Sequence, residues 1–385
     1  MSLENETLRI GITTFGCDLK SGMSRYASNL IAQFAANPGK DTFEVLSHSS
    51  GIHEFMPSAE CMTAVSVPEW LRNPMLNIAW HQLALPAVCG RRRFDVLFLP
   101  AASRRTPVRV PCPTVGTVHD LTPFHMAGKY DHARMFYQTR VLPLLLKRLT
   151  RIIAISESTK RDLLEYVGVP EHRVAVVHSA ADTDMFYPRN RDAAVNRVRG
   201  YGVRAPYVIY VSRIEHPGKN HVRLIRAFES IKASDAIPHQ LVLAGADWVR
   251  ADEVRHAASE SPVHDHILFT GYVHGRDLPD LYCGADVLVF PSLFEGFGLP
   301  ILEAMACGVP VACSNVSSMP EIAGDAAVLF DPLDVDSIAQ GLLALLASED
   351  EHASFVRKGL YRASQFSWEK TAMQTLDVIR GAAKR

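Results

Sequence analysis

Short apolar runs alternate with amphipathic stretches along almost all of the 385 residues, and this alternation constrains the fold most strongly. Apolar runs of about four to eight residues are typical of strands buried on both faces, and apolar residues at helical spacing indicate amphipathic helices. Strands that alternate with helices form parallel sheets, because each helix carries the chain back to the same end of the sheet. We therefore predict an α/β protein with doubly wound parallel sheets.

The predicted elements fall into two groups. Strands are predicted at Leu8–Thr14, Asp95–Leu99, Thr114–Val118, Ile152–Ile155, Val174–Val177, Tyr207–Val211, Gln240–Ala244, His266–Thr270, Asp286–Pro291 and Val309–Cys313. Helices are predicted at Gly22–Phe34, Pro74–Val88, His132–Leu149, Glu157–Val167, Asn220–Ala233, Gly275–Cys283, Leu299–Cys307, Asp336–Ala347 and Phe366–Lys384.

The alternation is interrupted by a polar, charged stretch, Arg189–Arg204, and then restarts. At roughly 100–200 residues per domain, the length also favours two domains. We therefore predict two Rossmann-like domains, residues 1–185 and 186–365, that are joined near residues 183–205. The C-terminal helix, residues 366–385, either completes the second domain or crosses back to the first.

Charge and cysteine usage exclude several classes of protein. Lys plus Arg total 40 and Asp plus Glu total 41, so the net charge of −1 argues against a nucleic-acid partner. Any anionic ligand must therefore be bound by a local cationic site. The seven cysteines include no C-x-x-C pair, and the N-terminus lacks the pattern of a signal peptide. We therefore expect a cytoplasmic protein without a disulfide framework.

The stretch Trp70–Arg93 admits two interpretations. It contains Trp70 and Trp80 and runs into the basic residues 91–93. An aromatic, amphipathic stretch with a basic edge can lie on an anionic membrane, which would place the protein on the inner face of that membrane. In the alternative, this is an ordinary helix of the first domain, whose apolar side contributes to the core.

The segment Pro291–Pro310 reads as a strand end, a glycine-rich turn and a helix. Gly296 and Gly298 permit close backbone approach, and Pro300 suits the first turn of a helix. The N–H groups around Phe297–Leu299 would lie at the helix start, where free donors and a positive partial charge favour a phosphate. A glycine-rich turn alone is weak evidence for such a site.

Two glutamates flank this turn. Glu295 precedes it and Glu303 lies on the following helix. Carboxylates would repel a phosphate, so we expect them to accept hydrogen bonds from hydroxyl groups, such as those of a sugar and a ribose. The plain alternative is a strand–loop–helix unit with two solvated glutamates.

The spacing of Glu295 and Glu303 resembles the E-x7-E motif of glycosyltransferase family 4, and the likeness continues through Ser314–Ala327. The resemblance implies the GT-B fold, in which two Rossmann-like domains face each other across a cleft. It also implies a retaining glycosyltransferase, which moves a hexose from a nucleotide-diphosphate sugar to a hydroxyl of a glycan or lipid-linked acceptor. From general likeness to members that build polysaccharides, we favour mannose as the hexose, with glucose next.

The resemblance also implies roles for other residues. Arg213 and Lys219 match the family's cations for the donor diphosphate, and His119, at the end of a buried strand, matches its histidine beside the donor sugar. Gly22 is what remains of the family's paired glycines near the sugar. The donor-binding residues implied by the resemblance are Gly22, Tyr272, Val273, Gly296, Phe297, Gly298, Leu299 and Glu303, with Tyr272 and Val273 at the nucleobase.

The resemblance implies no metal and no cofactor; the donor substrate would be a GDP-sugar or a UDP-sugar. Glu295 would position the donor sugar and Glu303 the ribose. Two alternatives remain open at this stage, a protein that binds nucleotide sugars without turnover and a GT-B epimerase of sugar nucleotides.

Overall fold

The computed structural model describes residues 7–15, 17, 22–126, 130–234 and 237–384, apart from the side chains of residues 54 and 74. The chain forms two compact units. Unit 1 consists of Met1–Ser179 together with Trp368–Arg385, and unit 2 consists of Ala180–Ser367. The chain therefore leaves unit 1 after Ser179 and returns to it after Ser367.

Unit 1 contains a seven-stranded parallel sheet with the strand order β3-β2-β1-β4-β5-β6-β7. Its strands are β1 (Arg9–Thr13), β2 (Thr42–His48), β3 (Met62–Val67), β4 (Val96–Leu99), β5 (Thr114–Val118), β6 (Arg151–Ala154) and β7 (Val174–Val176). The order reverses between β1 and β4, as in a doubly wound fold, so the loops after these two strands diverge at a crevice.

Helices cover this sheet. They are α1 (Gly22–Ala36), α2 (Ile52–Phe55), α3 (Pro74–Arg92), α4 (Thr122–His125), α5 (His132–Phe136), α6 (Leu142–Leu146) and α7 (Glu157–Asp162). Shorter 3-10 or π turns occupy Glu69–Arg72, Tyr137–Val141, Leu163–Val167 and Glu171–Arg173.

Unit 2 contains a six-stranded parallel sheet with the order β10-β9-β8-β11-β12-β13. Its strands are β8 (Tyr207–Val211), β9 (Gln240–Ala244), β10 (Ile267–Gly271), β11 (Val287–Phe290), β12 (Val311–Ser314) and β13 (Ala327–Phe330). Its helices are α8 (Arg191–Val198), α9 (His221–Ala233), α10 (Ala251–Ser259), α11 (Leu278–Cys283), α12 (Leu299–Ala306), α13 (Met319–Ala323), α14 (Val335–Leu346) and α15 (Glu349–Ser364), with 3-10 turns at Arg199–Tyr201 and His264–His266.

The last helix, α16 (Trp368–Ala383), packs on unit 1 against α1, β4, β5 and β6. Thr371 donates a hydrogen bond from its hydroxyl to the carbonyl oxygen of His178 over 2.7 Å. Farther along the helix, Arg380 forms an ion pair of 2.9 Å with the buried carboxylate of Asp41. The C-terminal segment is thus an integral part of unit 1.

The ten predicted strands are all present, and their ends differ from the prediction by no more than two residues. Three further strands, β2, β3 and β13, were not predicted. In β2 the apolar run is broken by Glu44, a buried carboxylate that binds Arg9 and Arg92. The other two lie at the edges of their sheets and are partly exposed, so they lack a continuous apolar run.

The polar stretch 189–204 differs from the expected linker, because it contains helix α8 within unit 2. Its arginines bind acids of the same unit. Arg189 and Arg197 lie 3.0 Å from the two carboxylate oxygens of Asp280, and Arg191 lies 2.6 Å from Asp286. The charges that suggested a solvated linker therefore hold this helix against the rest of unit 2. None of the described helices combines the length and the apolar character needed to cross a bilayer.

Candidate active site

The loops after β8 and β11 run side by side at the point where the strand order of unit 2 reverses. The main-chain N–H of Leu293 donates to the carbonyl oxygen of Gly218 over 3.0 Å. The side-chain amide of Asn220 donates to the carbonyl oxygens of Pro291 and Pro332 over 3.0 and 2.7 Å. In a doubly wound sheet, the carboxyl ends of the strands at this reversal form the usual ligand crevice.

Lys219 and Glu295 meet directly at this crevice. The ammonium nitrogen of Lys219 lies 2.5 Å from Oε1 of Glu295, and the two side chains are only 17% and 16% exposed. The sequence predicted both residues as part of the site but not this ion pair, because their positions are 76 residues apart.

Tyr210, at the end of β8, holds the main chain at Lys219. Its hydroxyl donates to the carbonyl oxygen of Lys219 over 2.9 Å and lies 2.9 Å from the hydroxyl of Ser292. Burial, followed by the charge of Glu295, raises the pKa of Tyr210 above its ordinary value, so the phenol stays protonated as a donor. Sequence analysis missed this role, since Tyr210 lies within an apolar run.

Arg213 stands earlier in the same loop, with its guanidinium carbon 4.8 Å from the centre of the Trp248 ring. This distance is typical of a cation–π contact. The side chain is half-exposed, and its Nη2 lies 4.0 Å from Oε2 of Glu215. Trp248 belongs to the loop after β9, and its main-chain N–H donates to the carbonyl oxygen of Ile214 over 2.9 Å. The guanidinium therefore lies at the same edge of the sheet as Lys219 and is open to solvent.

The glycine-rich turn leads into α12 as predicted. Gly298 has φ of 96°, a left-handed value that favours glycine, and Pro300 is the second residue of the helix. Two serines after β12 support the turn from behind. Ser318 Oγ lies 2.9 Å from the carbonyl oxygen of Glu295 and 3.0 Å from that of Phe297, and Ser317 Oγ accepts from the N–H of Glu295 over 3.3 Å. The carbonyl groups of the turn are thus directed toward these serines.

The remaining residues of the turn separate into buried and half-buried positions. Phe297 is buried, with its ring edge-on to Phe366 at 6.2 Å. Gly296 and Leu299 are half-buried on either side of Phe297 and Gly298. The start of α12 carries a positive partial charge, and Glu295 lies in the loop that leads into this helix.

Glu303 lies one turn into α12 and is buried. The hydroxyl of Tyr282, on α11, donates to its Oε2 over 2.9 Å. The sequence led us to expect a ribose hydroxyl as the donor to this carboxylate, whereas the donor in the structure is a tyrosine of unit 2. Its role toward a ribose stays a prediction.

Tyr272 and Val273 follow β10, two strands along the sheet from β8. The ring of Tyr272 is half-exposed and edge-on to His274 at 5.6 Å, while Val273 is buried. Both residues lie at the carboxyl edge of the sheet, as does Lys219. Their predicted contact with a nucleobase is untested.

His119 lies in unit 1, directly after β5. Its Nε2 is 2.7 Å from the carbonyl oxygen of Pro100, and its ring lies edge-on to Tyr26 at 4.8 Å. Because a carbonyl can only accept, Nε2 must carry the proton. Burial lowers the pKa of His119, so the ring is neutral at pH 7 and Nδ1 is left as a hydrogen-bond acceptor.

Gly22 begins α1 and is exposed, and a Cβ at this position would contact nothing within 4 Å. Gly16 and residues 18–21 of the predicted glycine loop lie outside the described residues. Within the described ranges, no group of three or more His, Cys, Asp or Glu side chains could hold a metal ion.

Two family models match the chain, Glycosyltransferase Family 4 over residues 20–185 and Glycosyl transferases group 1 over residues 197–360. The O-antigen chain mannosyltransferase B of Escherichia coli is 33% identical over 267 residues, which cover 69% of this chain and 70% of that protein. The chain therefore belongs to the group 1 and family 4 glycosyltransferases, and the family inferred from the sequence is confirmed.

Two further comparisons add detail. The serotype-specific mannosyltransferase WbdA of E. coli is 31% identical over 274 residues, which cover 70% of this chain but only 33% of WbdA. The structure of Anabaena Alr3699/HepE in complex with UDP-glucose matches 97% of this chain and 100% of that one, with a TM-score of 0.74 and 16% identity. This second likeness confirms the GT-B fold.

Proposed function

We propose that the protein is a retaining mannosyltransferase, which moves mannose from a nucleotide-diphosphate sugar to a hydroxyl of a glycan or lipid-linked acceptor. The observation that carries the proposal is the Lys219–Glu295 ion pair at the strand reversal, since Glu295 lies in the loop that leads into α12. The mannosyltransferases among the relatives support the choice of sugar. GDP-mannose is the first donor to test, and UDP-glucose is the second.

The cations of unit 2 suit a diphosphate leaving group. When the anomeric carbon–oxygen bond breaks, its electron pair stays on the diphosphate, where negative charge increases. Arg213 can offer a fork of N–H donors, Lys219 a compact charge, and the N–H groups at Phe297–Leu299 a positive helix end. Stabilisation of developing charge by groups already in place is commonly the largest contribution to catalysis.

The ion pair leaves room for a second ligand. An ammonium group has three donors, and Glu295 uses one of them in the donor-free protein, so Lys219 can bind the carboxylate and a phosphate oxygen together. The other oxygen of Glu295 can then accept from a hydroxyl of the donor sugar. In the same proposal Glu303 accepts from the ribose, and main-chain groups of Tyr272 and Val273 bind the nucleobase.

We assign proton transfer to the donor itself. The acceptor oxygen forms its bond on the face from which the diphosphate leaves, which retains the anomeric configuration, and its proton passes to the leaving phosphate oxygen. His119 has a lowered pKa, and its Nε2 donates to the carbonyl oxygen of Pro100, so Nδ1 is the nitrogen that can accept from a ligand. We therefore assign His119 to orienting a sugar hydroxyl through Nδ1. No metal ion is required in this scheme, since side chains and a helix start supply the positive charge.

A donor panel tests the proposal. The purified protein is incubated with GDP-mannose or UDP-glucose, with and without an extract of lipid-linked glycans, and release of the nucleoside diphosphate is measured. We expect release from GDP-mannose only when acceptor is present, and an α-linked product by NMR. Consumption of UDP-glucose alone would contradict the choice of mannose.

Two other results would overturn the proposal more broadly. Binding of a nucleotide sugar without release under any condition would indicate a binding protein. Conversion of the donor into an isomeric sugar nucleotide without acceptor would indicate an epimerase.

A further inference from the structure

Helix α3 has an apolar side that faces solvent, in addition to the side that packs on the core of unit 1. Met75, Ala79, Leu83 and Ala87 follow one another at intervals of four and are all exposed, Met75 by 74% and Leu83 by 79%. No Asp, Glu, Lys or Arg occurs between Arg72 and Arg91. A helix on the surface of a globular protein normally carries polar residues on its outer face.

The apolar surface continues before the helix and beside it. Trp70, in the turn that precedes α3, is 62% exposed. Residues 105–111 run along the helix, since Arg105 donates to the side chain of Asn77 and the N–H of Val108 donates to that of Gln82, both over 2.7 Å. We define the α3 face as the exposed apolar residues of this region, namely Trp70, Met75, Leu76, Ala79, Leu83, Ala87 and Val108.

Apart from Glu69, which forms an ion pair with Arg72 beside Trp70, the charges around the α3 face are mainly positive. Between Glu69 and Asp120 the sequence has seven arginines and a single acid, Asp95. That acid accepts a hydrogen bond from the N–H of Arg9 over 2.8 Å. Exposed arginines stand in the loop beside α3 and at its C-terminal end, at Arg91, Arg93 and Arg109.

We propose that the α3 face docks the protein on the surface of an anionic lipid bilayer. The apolar side chains would enter the boundary between headgroups and acyl chains, with Trp70 at the polar interface and the arginines at the lipid phosphates. The helix would lie in the membrane plane, in keeping with the absence of a described helix long and apolar enough to cross it.

The charge pattern favours a bilayer over a second copy of the chain. A symmetric dimer brings the same patch of each copy together, so a dimer through the α3 face would oppose arginines with arginines. Anionic lipids carry the opposite charge, and their local density in the bilayer can rise beneath the arginines. The α3 face contains none of the residues assigned to the donor, so this inference does not depend on the proposed donor or mechanism.

Vesicle flotation with the full chain tests the inference. We expect the protein to float with vesicles of phosphatidylglycerol and phosphatidylethanolamine, and not with phosphatidylcholine alone. High salt should weaken the binding, and each of Arg91→Gln and Arg109→Gln should lower the partition coefficient about fivefold.

The apolar part of the face is tested with Met75→Asp combined with Leu83→Asp, which should lower the partition coefficient at least about tenfold because buried apolar area is lost and repulsive charge is added. The matched control is Tyr361→Asp, which changes a side chain that is 70% exposed on α15 of unit 2. We expect the control to float as the wild type does. Circular dichroism and thermal unfolding verify that all variants are folded.

Three results would overturn the inference. The first is a wild-type protein that does not float with anionic vesicles, and the second is a double variant that floats as well as the wild type. The third is a wild-type dimer in solution that the double variant converts to monomer, which would assign the face to a second copy. Mannose transfer to an acceptor that has been freed from its lipid is measured in parallel. Because this reaction does not need membrane docking, it distinguishes loss of docking from loss of the proposed activity.

Discussion

Lys219 and Glu295 join the loops after β8 and β11 through an ion pair of 2.5 Å, with both side chains largely shielded from water. Removing one partner of such a pair leaves the other charge in a poorly solvated place, which is costly. The two residues are therefore energetically coupled before any donor is present, and each should be studied together with the other.

We expect Lys219→Ala and Arg213→Ala each to lower kcat/KM by about 10²–10³, the scale of one lost electrostatic contact in the transition state. The measurement is release of the nucleoside diphosphate with saturating acceptor. Lys358→Ala, on α15, serves as the matched control and should retain wild-type turnover. Near-normal rates in both site variants would refute the assignment of these cations to the diphosphate.

Glu303→Ala should weaken binding of the bare nucleoside diphosphate by about 10-fold or more, because a hydrogen bond to a charged group contributes roughly 1.5–3 kcal/mol. Glu295→Ala should reduce turnover more than it reduces the affinity for the bare nucleoside diphosphate, since the proposed partner of Glu295 is the sugar. Isothermal titration with GDP compares the two. Equal losses of affinity would show that the two roles have been assigned wrongly.

His81, on α3, makes the stability of unit 1 sensitive to acid. Its Nδ1 donates to the carbonyl oxygen of Asn77 over 2.8 Å, and its Nε2 has no hydrogen-bond partner among the described residues. Burial lowers the pKa of His81 from 6.5 to about 4. Between these two values the unfolded chain binds more protons than the folded one, so stability falls as the pH falls from 6.5 toward 4.

The expected loss from His81 is about 2 kcal/mol between pH 7 and pH 5, and it can be measured by urea unfolding at each pH. His81→Gln, which cannot gain a proton in this range, should reduce the dependence on pH. The exposed His172→Gln is the control. An unchanged slope in the His81 variant would rule out this histidine as the source.

Gly245 directly follows β9, at a position where a side chain has no room. Its φ is 155°, and a Cβ would lie 1.8 Å from the carbonyl oxygen of Ser212. We expect Gly245→Ala to lower the free energy of unfolding of unit 2 by more than about 3 kcal/mol, because the loop after β8 must move. Gly275→Ala, where a Cβ would meet nothing within 4 Å, is the matched control for urea unfolding.

Turnover should persist in EDTA. The proposed site neutralises the diphosphate with Arg213, Lys219 and the start of α12, so chelation should change the rate by less than about twofold, well below the loss of one catalytic contact. The assay compares diphosphate release with EDTA, with Mg²⁺ and with Mn²⁺. Activity that EDTA abolishes and a divalent ion restores would contradict a metal-free mechanism.

The parts of the site that depend on local sequence were predictable. The turn before α12 could be recognised because Gly298 and Pro300 each have a conformational preference that acts over a few residues. Tyr210 and Tyr282 could not be recognised in this way. Each supports a site residue through a contact made only after folding, and in the sequence both are simply members of apolar stretches.

The same distinction applies to the fold. Buried central strands have continuous apolar runs, whereas β2 contains a carboxylate, Glu44, whose burial becomes favourable only beside Arg9 and Arg92. Helix α8 has little apolar periodicity, and its position depends on ion pairs of Arg197 with Asp280 and of Arg191 with Asp286, which lie far along the chain. Charge pairing over such separations has no local signature in a single sequence.

The return of the chain to unit 1 at Trp368 sets an order for folding during synthesis. Trp368 packs edge-on to Tyr26 at 5.9 Å, and Tyr26 in turn contacts His119. When a ribosome reaches residue 368 it has already made all of unit 2, while unit 1 still lacks the helix that covers β4, β5 and β6. The surroundings of His119 are therefore completed only after all of unit 2 has been synthesised.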